Sequence, residues 1–353
     1  MQMPPFSLGR HEKSQLLSCR LLELTRRHMS RCPEYASMMR GIGFDAGSCK
    51  SYYDIPFLPV SLFKELELRS IPQEEIFKVL TSSGTTGRAV SRIYLDRHTA
   101  DMQQRALVKI VSDFTGASRL PMLIVDSPAA VRDRETFSAR GAGIIGFSIF
   151  GSDRAYALNE NMEIDIGAVS SFLEKHKGRR ILLFGFTYIV WLHFYKEIVK
   201  LDRKFDLRNG ILIHGGGWKK MAGESVSRDE FKRRLAEACG LEEAHDYYGM
   251  VEQTGCVCME CGHGNLHASS YSDIITRRHT DFAPCAFGEA GIIQAVSALP
   301  ESYPGHSLLT EDEGVILGED DCACGRKGKY FKINGRLKMA EARGCSDTYA
   351  TGG

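Results

Sequence analysis

The longest uncharged apolar run, "ILLFGFTYIVWLHFY" at residues 181–195, limits what this chain can fold into more than any other stretch. It falls short of the ~20 residues that a membrane-spanning helix needs, and it contains His193. It therefore reads as a buried strand, Ile181 to Phe186, running straight into a buried helix. Similar apolar runs recur along the chain. "MLIVDSP", "GIIGFSIFG", "GILIHGGGW" and "GIIQAVSAL" read as strands, and residues 164–177 and 225–238 carry the period of helices. Strands alternating with helices predict an α/β fold. From about Glu12 to Met39, Leu17, Leu21 and Leu24 recur at helical spacing, so amphipathic helices should open the chain. "DIPFLPVSLFKELELRSIP" has three prolines in nineteen residues and reads as a loop-rich connection. The polar, basic stretch from "CACGRKGKYFKINGRLK" to the end reads as a small appendix or tail.

Composition narrows the function classes. With 353 residues, 43% hydrophobic and 25% charged, the chain can bury a core for one large domain or two unequal ones. A formal net charge of +1 gives no basic field for nucleic acid or an anionic membrane, and neither is expected as a partner. The start, "MQMPPFSLGRHEKSQ", lacks the apolar run of a secretory signal. Eleven cysteines, an odd number, then indicate reduced thiols, metal ligands or a reactive sulfur, and a cytoplasmic location.

Two stretches carry chemistry by residue type. Thr81, Ser82, Ser83, Gly84, Thr85, Thr86 and Gly87 are too small to pack a core. Such a run lets backbone N–H and hydroxyl groups converge on a phosphate; the plain alternative is a surface loop. The kinase-type pattern G-x-x-x-x-G-K-[ST] is excluded, because Gly84 and Gly87 are too close and Arg88 follows. The second stretch is paired. Cys256, Cys258, Cys261, His263 and His267 lie about 55 residues before Cys322 and Cys324, and two clusters of sulfur and imidazole suggest a tetrahedral zinc site. Spacing alone leaves its membership open, and reduced cysteines without metal are the alternative.

"SSGTTG" is similar to the phosphate loop of the adenylate-forming superfamily, and three later segments follow in the order this resemblance requires. "LIHGGGWKK" resembles the glycine stretch lining the adenine pocket (Gly215, Gly216, Gly217), and "YYGMVEQTG" the aromatic-Gly-x-Thr-Glu motif. The resemblance implies that Tyr248, followed by Gly249, stacks on adenine and that Glu252 holds the magnesium of Mg-ATP; Val251 stands where the family has threonine. "LLTEDEG" makes Asp312 the ribose ligand, and "INGRLK" makes Arg336 a ribose or phosphate contact and Lys338 the hinge pivot. Together with "IPFLPVSLFK", "SYPGHSLLTEDEG" and "RGCSDT", these segments resemble the LuxE-like acyl-protein synthetases, over roughly the whole chain from Asp54 onward. The motif "EC…H" with "C-x-C-G" of related ligases implies Cys261, His267, Cys322 and Cys324 as ligands of a structural zinc.

What the resemblance implies is specific. The fold is the large N-terminal domain of an adenylate-forming enzyme (residues 1–334, helical over about 1–55), with the mobile C-terminal domain reduced to a hinge-like segment and short tail, 335–353. Only fifteen residues follow Lys338. The activity is ATP-dependent activation of a carboxylic acid, fatty in this family, as acyl-AMP, with Glu252, Thr85, Thr86 and Lys338 in the catalytic set. The acyl group passes to Cys345, near the C-terminus, as a thioester. Delivery is then to an acyl reductase or a carrier protein, and a homo-oligomer stays open. Phe186, His214 and Trp218 are candidate substrate contacts. The rival readings are a ligase that transfers to coenzyme A or an acyl-carrier protein, and a zinc-stabilised binding module without catalysis.

Overall fold

The computed structural model describes residues 3–82, 90–132, 139–201, 204–218, 223 and 225–337. Two helices open it, α1 (Arg10–Arg31) and α2 (Pro33–Gly41), and Leu17, Leu21 and Leu24 form the buried stripe of α1. The proline-rich connection contains only the two-residue strand β1 (Leu58–Pro59) and one helical turn, α3 (Leu62–Glu65). A separate hairpin follows, β2 (Lys78–Thr81) against β3 (Arg92–Leu95). Then comes the alternating part: α4 (Arg97–Thr115), β4 (Leu120–Val125), α5 (Ala139–Phe147), β5 (Gly151–Tyr156), α6 (Ile166–Lys175) and β6 (Ile181–Phe186). The chain continues through α7 (Thr187–Ile189), a π-helical stretch (Val190–Tyr195) and α8 (Lys196–Lys200) to β7 (Gly210–Gly215), α9 (Arg228–Cys239) and β8 (Glu243–Tyr248).

β5, β4, β6, β7 and β8 lie side by side and parallel. Their apolar runs are continuous because both faces are covered. Met122, Ile124, Phe184 and Ile213 meet α4 and α5 on one face, whereas Leu123, Leu183 and Leu212 meet α6, α9 and the π-helical stretch on the other. The sheet then turns antiparallel through β9 (Cys258–Glu260), β10 (Leu266–His267), β14 (Lys329–Arg336), β13 (Ser307–Glu319), β12 (Ala290–Ser297) and β11 (Ser272–Arg277). Among the described residues no helix is long and apolar enough to cross a membrane.

Two sequence expectations are corrected here. "GIIGFSIFG" is not a strand: residues 143–147 belong to α5 and 148–150 form a 3-10 turn. A short apolar run carries no decisive period, and the packing settles it, with Ile144 and Phe147, three apart, both buried in the same core. The basic stretch after Cys324 is not an appendix as far as Arg336. Its residues 329–336 form β14, an inner strand between β13 and β10. Lys329 is fully buried there, with its ammonium 2.7 Å from Asp273 Oδ2 and 2.9 Å from the Ile274 carbonyl. β14 continues through Gly335 and Arg336.

Candidate active site

In an open α/β sheet, ligands gather at the carboxyl ends of the parallel strands. Here β6, β7 and β8 end side by side at Phe186, Gly215 and Tyr248. The glycine run after β7 has two separate physical causes. A Cβ on Gly215 would lie 2.6 Å from the Tyr247 ring, and one on Gly216 2.9 Å from the Phe186 ring. Gly216 and Gly217 also sit at φ +82° and +58°, in the left-handed region that costs side-chain-bearing residues most. Phe186 is thus a buried floor under the bend. Trp218 is half-buried, edge-on to Trp191 at 5.7 Å. His214 is buried, its ring against Phe231 and its Nδ1 3.0 Å from Thr187 Oγ1.

Across the sheet, Tyr248 donates its hydroxyl to Asp312 Oδ2 at 2.8 Å, joining residues 64 apart in sequence. Burial pushes the Tyr248 phenol well above its ordinary value, and burial also raises the Asp312 carboxyl. Asp312 stands opposite Arg336 in the β13–β14 register, and the Arg336 guanidinium bonds Glu311. The Tyr248 ring rests edge-on against Phe331 at 6.2 Å. Gly249 follows directly, and a Cβ there would lie 3.1 Å from Val257.

The small-residue loop springs from the β2–β3 hairpin. Thr81 pairs with Arg92, and Ser82 closes the base: its Oγ accepts from the Ser91 amide at 2.9 Å, and its amide donates to the Ser91 carbonyl at 3.2 Å. Glu252, 6% exposed, sits on a single 3-10 turn, Val251–Gln253. Burial raises its carboxyl, and neighbouring Ser91 and Lys64 partly offset this. The mouth of the loop and the Glu252 carboxylate therefore adjoin. Ser83, Gly84, Thr85, Thr86, Gly87, Lys338 and Cys345 lie outside the described residues.

Cys261, His267, Cys322 and Cys324 converge, with one ligand atom from each within 4.8 Å of all the others. Cys261 Sγ and Cys322 Sγ are 4.0 Å apart, and Cys324 Sγ and His267 Nε2 3.3 Å. A tetrahedral zinc with ordinary bond lengths sets ligand atoms about 3.5–3.8 Å apart, so the donor set fits that ion, while a disulfide would need about 2 Å. Cys256 and Cys258 do not join. Both line a small pocket with Ser272 and Asp273, and Cys256 Sγ lies 3.2 Å from Ser297 Oγ. His263 is exposed.

Sequence reasoning missed the charges beneath the glycine bend. Glu260, fully buried, accepts from the Asp246 amide at 3.0 Å and pairs with Lys232 at 3.0 Å, while Arg228 stands 3.8 and 3.9 Å from Glu260 and Asp246. Burial pushes the Asp246 carboxyl up to about 7. The available signal was weak: Asp246 lies two residues before Tyr248, and Glu260 stands among the cysteines.

Comparison with known proteins identifies the family and the fold. The model of the family "Acyl-protein synthetase, LuxE" matches residues 1–351. A long-chain-fatty-acid–luciferin-component ligase of Vibrio harveyi is 26% identical over 320 residues, covering 83% of this chain and 76% of that one. Its counterpart from Aliivibrio fischeri is 24% identical over 306 residues, covering 83% and 77%. In fold, the chain is similar to an open conformation of 2-hydroxyisobutyryl-CoA ligase solved with 2-HIB-AMP and CoA: TM-score 0.70, 17% identity, 94% of this chain and 76% of that one. The architecture is that of adenylate-forming ligases. The chain belongs to the acyl-protein synthetase family LuxE and is an enzyme of the ATP-dependent, AMP-forming ligase class.

Proposed function

We propose that this protein activates a fatty acid as acyl-AMP and transfers the acyl group to its own Cys345, for delivery to an acyl reductase, an acyltransferase or a carrier protein. The observation that carries the reading is the Tyr248–Asp312 hydrogen bond at the carboxyl edge of β6, β7 and β8, beside the glycine bend. A purine over the Tyr248 ring would bring its ribose hydroxyls toward Asp312, with Arg336 opposite in the register; a π-face suits the planar base. Residues Thr81 to Gly87 hold the β- and γ-phosphates by amide and hydroxyl donors, which positions ATP and stabilises the leaving pyrophosphate. Magnesium bound with ATP would screen the phosphate charge, and Glu252, a buried carboxylate at the loop mouth, is the residue to hold it.

In the first step a carboxylate oxygen of the acid bonds the α-phosphorus, and pyrophosphate leaves. In the second the Cys345 thiolate bonds the acyl carbon, and AMP leaves with the electron pair of the broken C–O bond. The segment after β14, which ends at Arg336, acts as hinge and tail, with Lys338 as pivot. Zinc on Cys261, His267, Cys322 and Cys324 is structural, since four protein donors leave no open position.

The experiment is incubation of the protein with ATP and labelled fatty acid without added thiol. Covalent label that hydroxylamine releases and that Cys345→Ser abolishes is the expected result. Label transferred only to added coenzyme A or carrier protein, with Cys345→Ser unimpaired, would replace Cys345 as acceptor. Thr85→Val with Thr86→Val should suppress pyrophosphate exchange into ATP; unchanged exchange removes the loop from the reaction.

A further inference from the structure

His214 and Thr187 are both buried, 2% and 6% exposed, and they face each other beneath the glycine bend. Hydrogen-bond accounting assigns a direction to their contact, one that pairs every group involved. A threonine hydroxyl has one proton to donate. Thr187 Oγ1 lies 3.2 Å from the Gly215 carbonyl oxygen, an acceptor only, so its proton goes there. At 3.0 Å, His214 Nδ1 must then be the donor to Thr187 Oγ1. Burial holds this imidazole neutral, with its pKa lowered to about 3. Its proton therefore sits on Nδ1, and Nε2 is a bare acceptor; among the described residues that buried atom has no hydrogen-bond partner. Asp246 Oδ1 is 3.8 Å from Nδ1, too far to take the proton. The result is a one-way chain from His214 through Thr187 to the carbonyl of Gly215, the residue just before the two left-handed glycines.

We propose that His214 and Thr187 are positioning residues that hold the Gly215–Gly217 bend in the shape that receives the nucleotide. The inference rests on the nucleotide reading above. Without the chain, the peptide that leads from Gly215 into the bend would lose one restraint, and binding would have to supply that order at a cost in affinity. The Phe231 ring against the imidazole fixes the donor from behind.

The test uses AMP as the probe, calorimetry for its affinity, and pyrophosphate exchange for KM and kcat. Thr187→Val keeps the shape and removes the hydroxyl; His214→Leu removes the donor. Each should weaken AMP binding about fivefold, the worth of one net hydrogen bond, and raise KM for ATP with kcat less affected. Thr187→Ser and His214→Asn, whose amide nitrogen replaces Nδ1, should restore binding to within about twofold. The double variant Thr187→Val with His214→Leu should be no weaker than either single one, because both break one chain. Wild-type affinity in Thr187→Val, or Asn as damaging as Leu at 214, overturns the proposal. Nitrogen-15 shifts of labelled histidine test it without nucleotide: an Nδ1–H tautomer at His214 is expected, and Nε2–H refutes the chain. Failure of the wild-type protein to bind AMP, with the tautomer as expected, would instead sink the nucleotide reading.

Discussion

The four-ligand cluster offers a large, measurable effect. Cys261 and Cys322 are 61 residues apart, so a zinc ion joining them closes a loop of that size. Closing such a loop removes chain entropy from the unfolded state worth about 4 kcal/mol at room temperature. The closed loop also carries the attachments of the N-terminus. Asp320 accepts from the Arg10 amide at 2.7 Å and so caps α1 from outside, since Gly9 has no side chain to do it. Just beyond the loop, the Lys327 amide donates to the Phe6 carbonyl at 3.1 Å, and the Arg326 guanidinium lies 4.0 Å over the Phe114 ring of α4. Cys322→Ser, or extraction by a zinc-selective chelator, should therefore lower the unfolding free energy by about 4 kcal/mol. It should also speed amide exchange in the first turn of α1. The assays are urea unfolding with and without chelator, zinc release on thiol modification, and exchange at Arg10. Cys256→Ala is the control that keeps its zinc, because that sulfur lies against Ser297. Sub-stoichiometric zinc in freshly purified protein, together with a chelator-insensitive unfolding midpoint, would refute the reasoning.

Three further outcomes follow from buried groups. Asp273 lies between the ammonium groups of Lys13 and Lys329, at 3.2 and 2.7 Å, and is 1% exposed; Asp273→Asn leaves two buried cations uncompensated and should cost about 3–5 kcal/mol in urea unfolding. Gly215→Ala forces a methyl to within 2.6 Å of the half-buried Tyr247 ring, so an overpacking cost of about 1–3 kcal/mol should accompany weakened AMP binding in calorimetry. Burial lowers the pKa of His214 and of His306 to about 3, against an ordinary 6.5, and that of His28 well below 6.5. Between those values the unfolded chain binds more protons than the folded one, so stability falls as pH drops from about 6.5, by about 2 kcal/mol per histidine near pH 5. Asp246, raised to about 7, opposes this, since its folded form binds more protons over much of the same window. Removing one of the three histidines isolates its share: His306→Gln should flatten the curve of unfolding midpoint against pH below about 6.5.

How much of this was legible in the sequence depends on where each residue's partners lie. β6 and β7 could be read directly, because strands covered on both faces become continuous apolar runs, and nothing distant has to be known to see one. The order of the nucleotide motifs was legible for a related reason, since each is set by local chemistry: small residues at a bend, an aromatic before a glycine, an acid in a turn. β14 was misread because its burial depends on partners far away. Lys329 looks like a surface residue until Asp273, 56 positions earlier, meets its charge. Residues 143–147 were misread for want of a period, their helix being fixed by the core that Ile144 and Phe147 enter.

The same distinction explains why His214 could be singled out from sequence but not given a role. A histidine before a glycine run is compatible with a ligand contact or a core position, and the choice turns on which atom faces which neighbour. Thr187, 27 residues earlier, is the neighbour of Nδ1. With its single hydroxyl proton on the Gly215 carbonyl, Thr187 accepts from Nδ1, which ties that nitrogen to the bend and leaves Nε2 without a partner among the described residues. Sequence supplies residue types in order, whereas the direction of a hydrogen bond comes from counting donors and acceptors in place. That count is why the function of the bend has to be sought in its shape, and why Thr187→Val, which removes one oxygen from the interior and touches no ligand, is the sharpest probe of how the nucleotide is received.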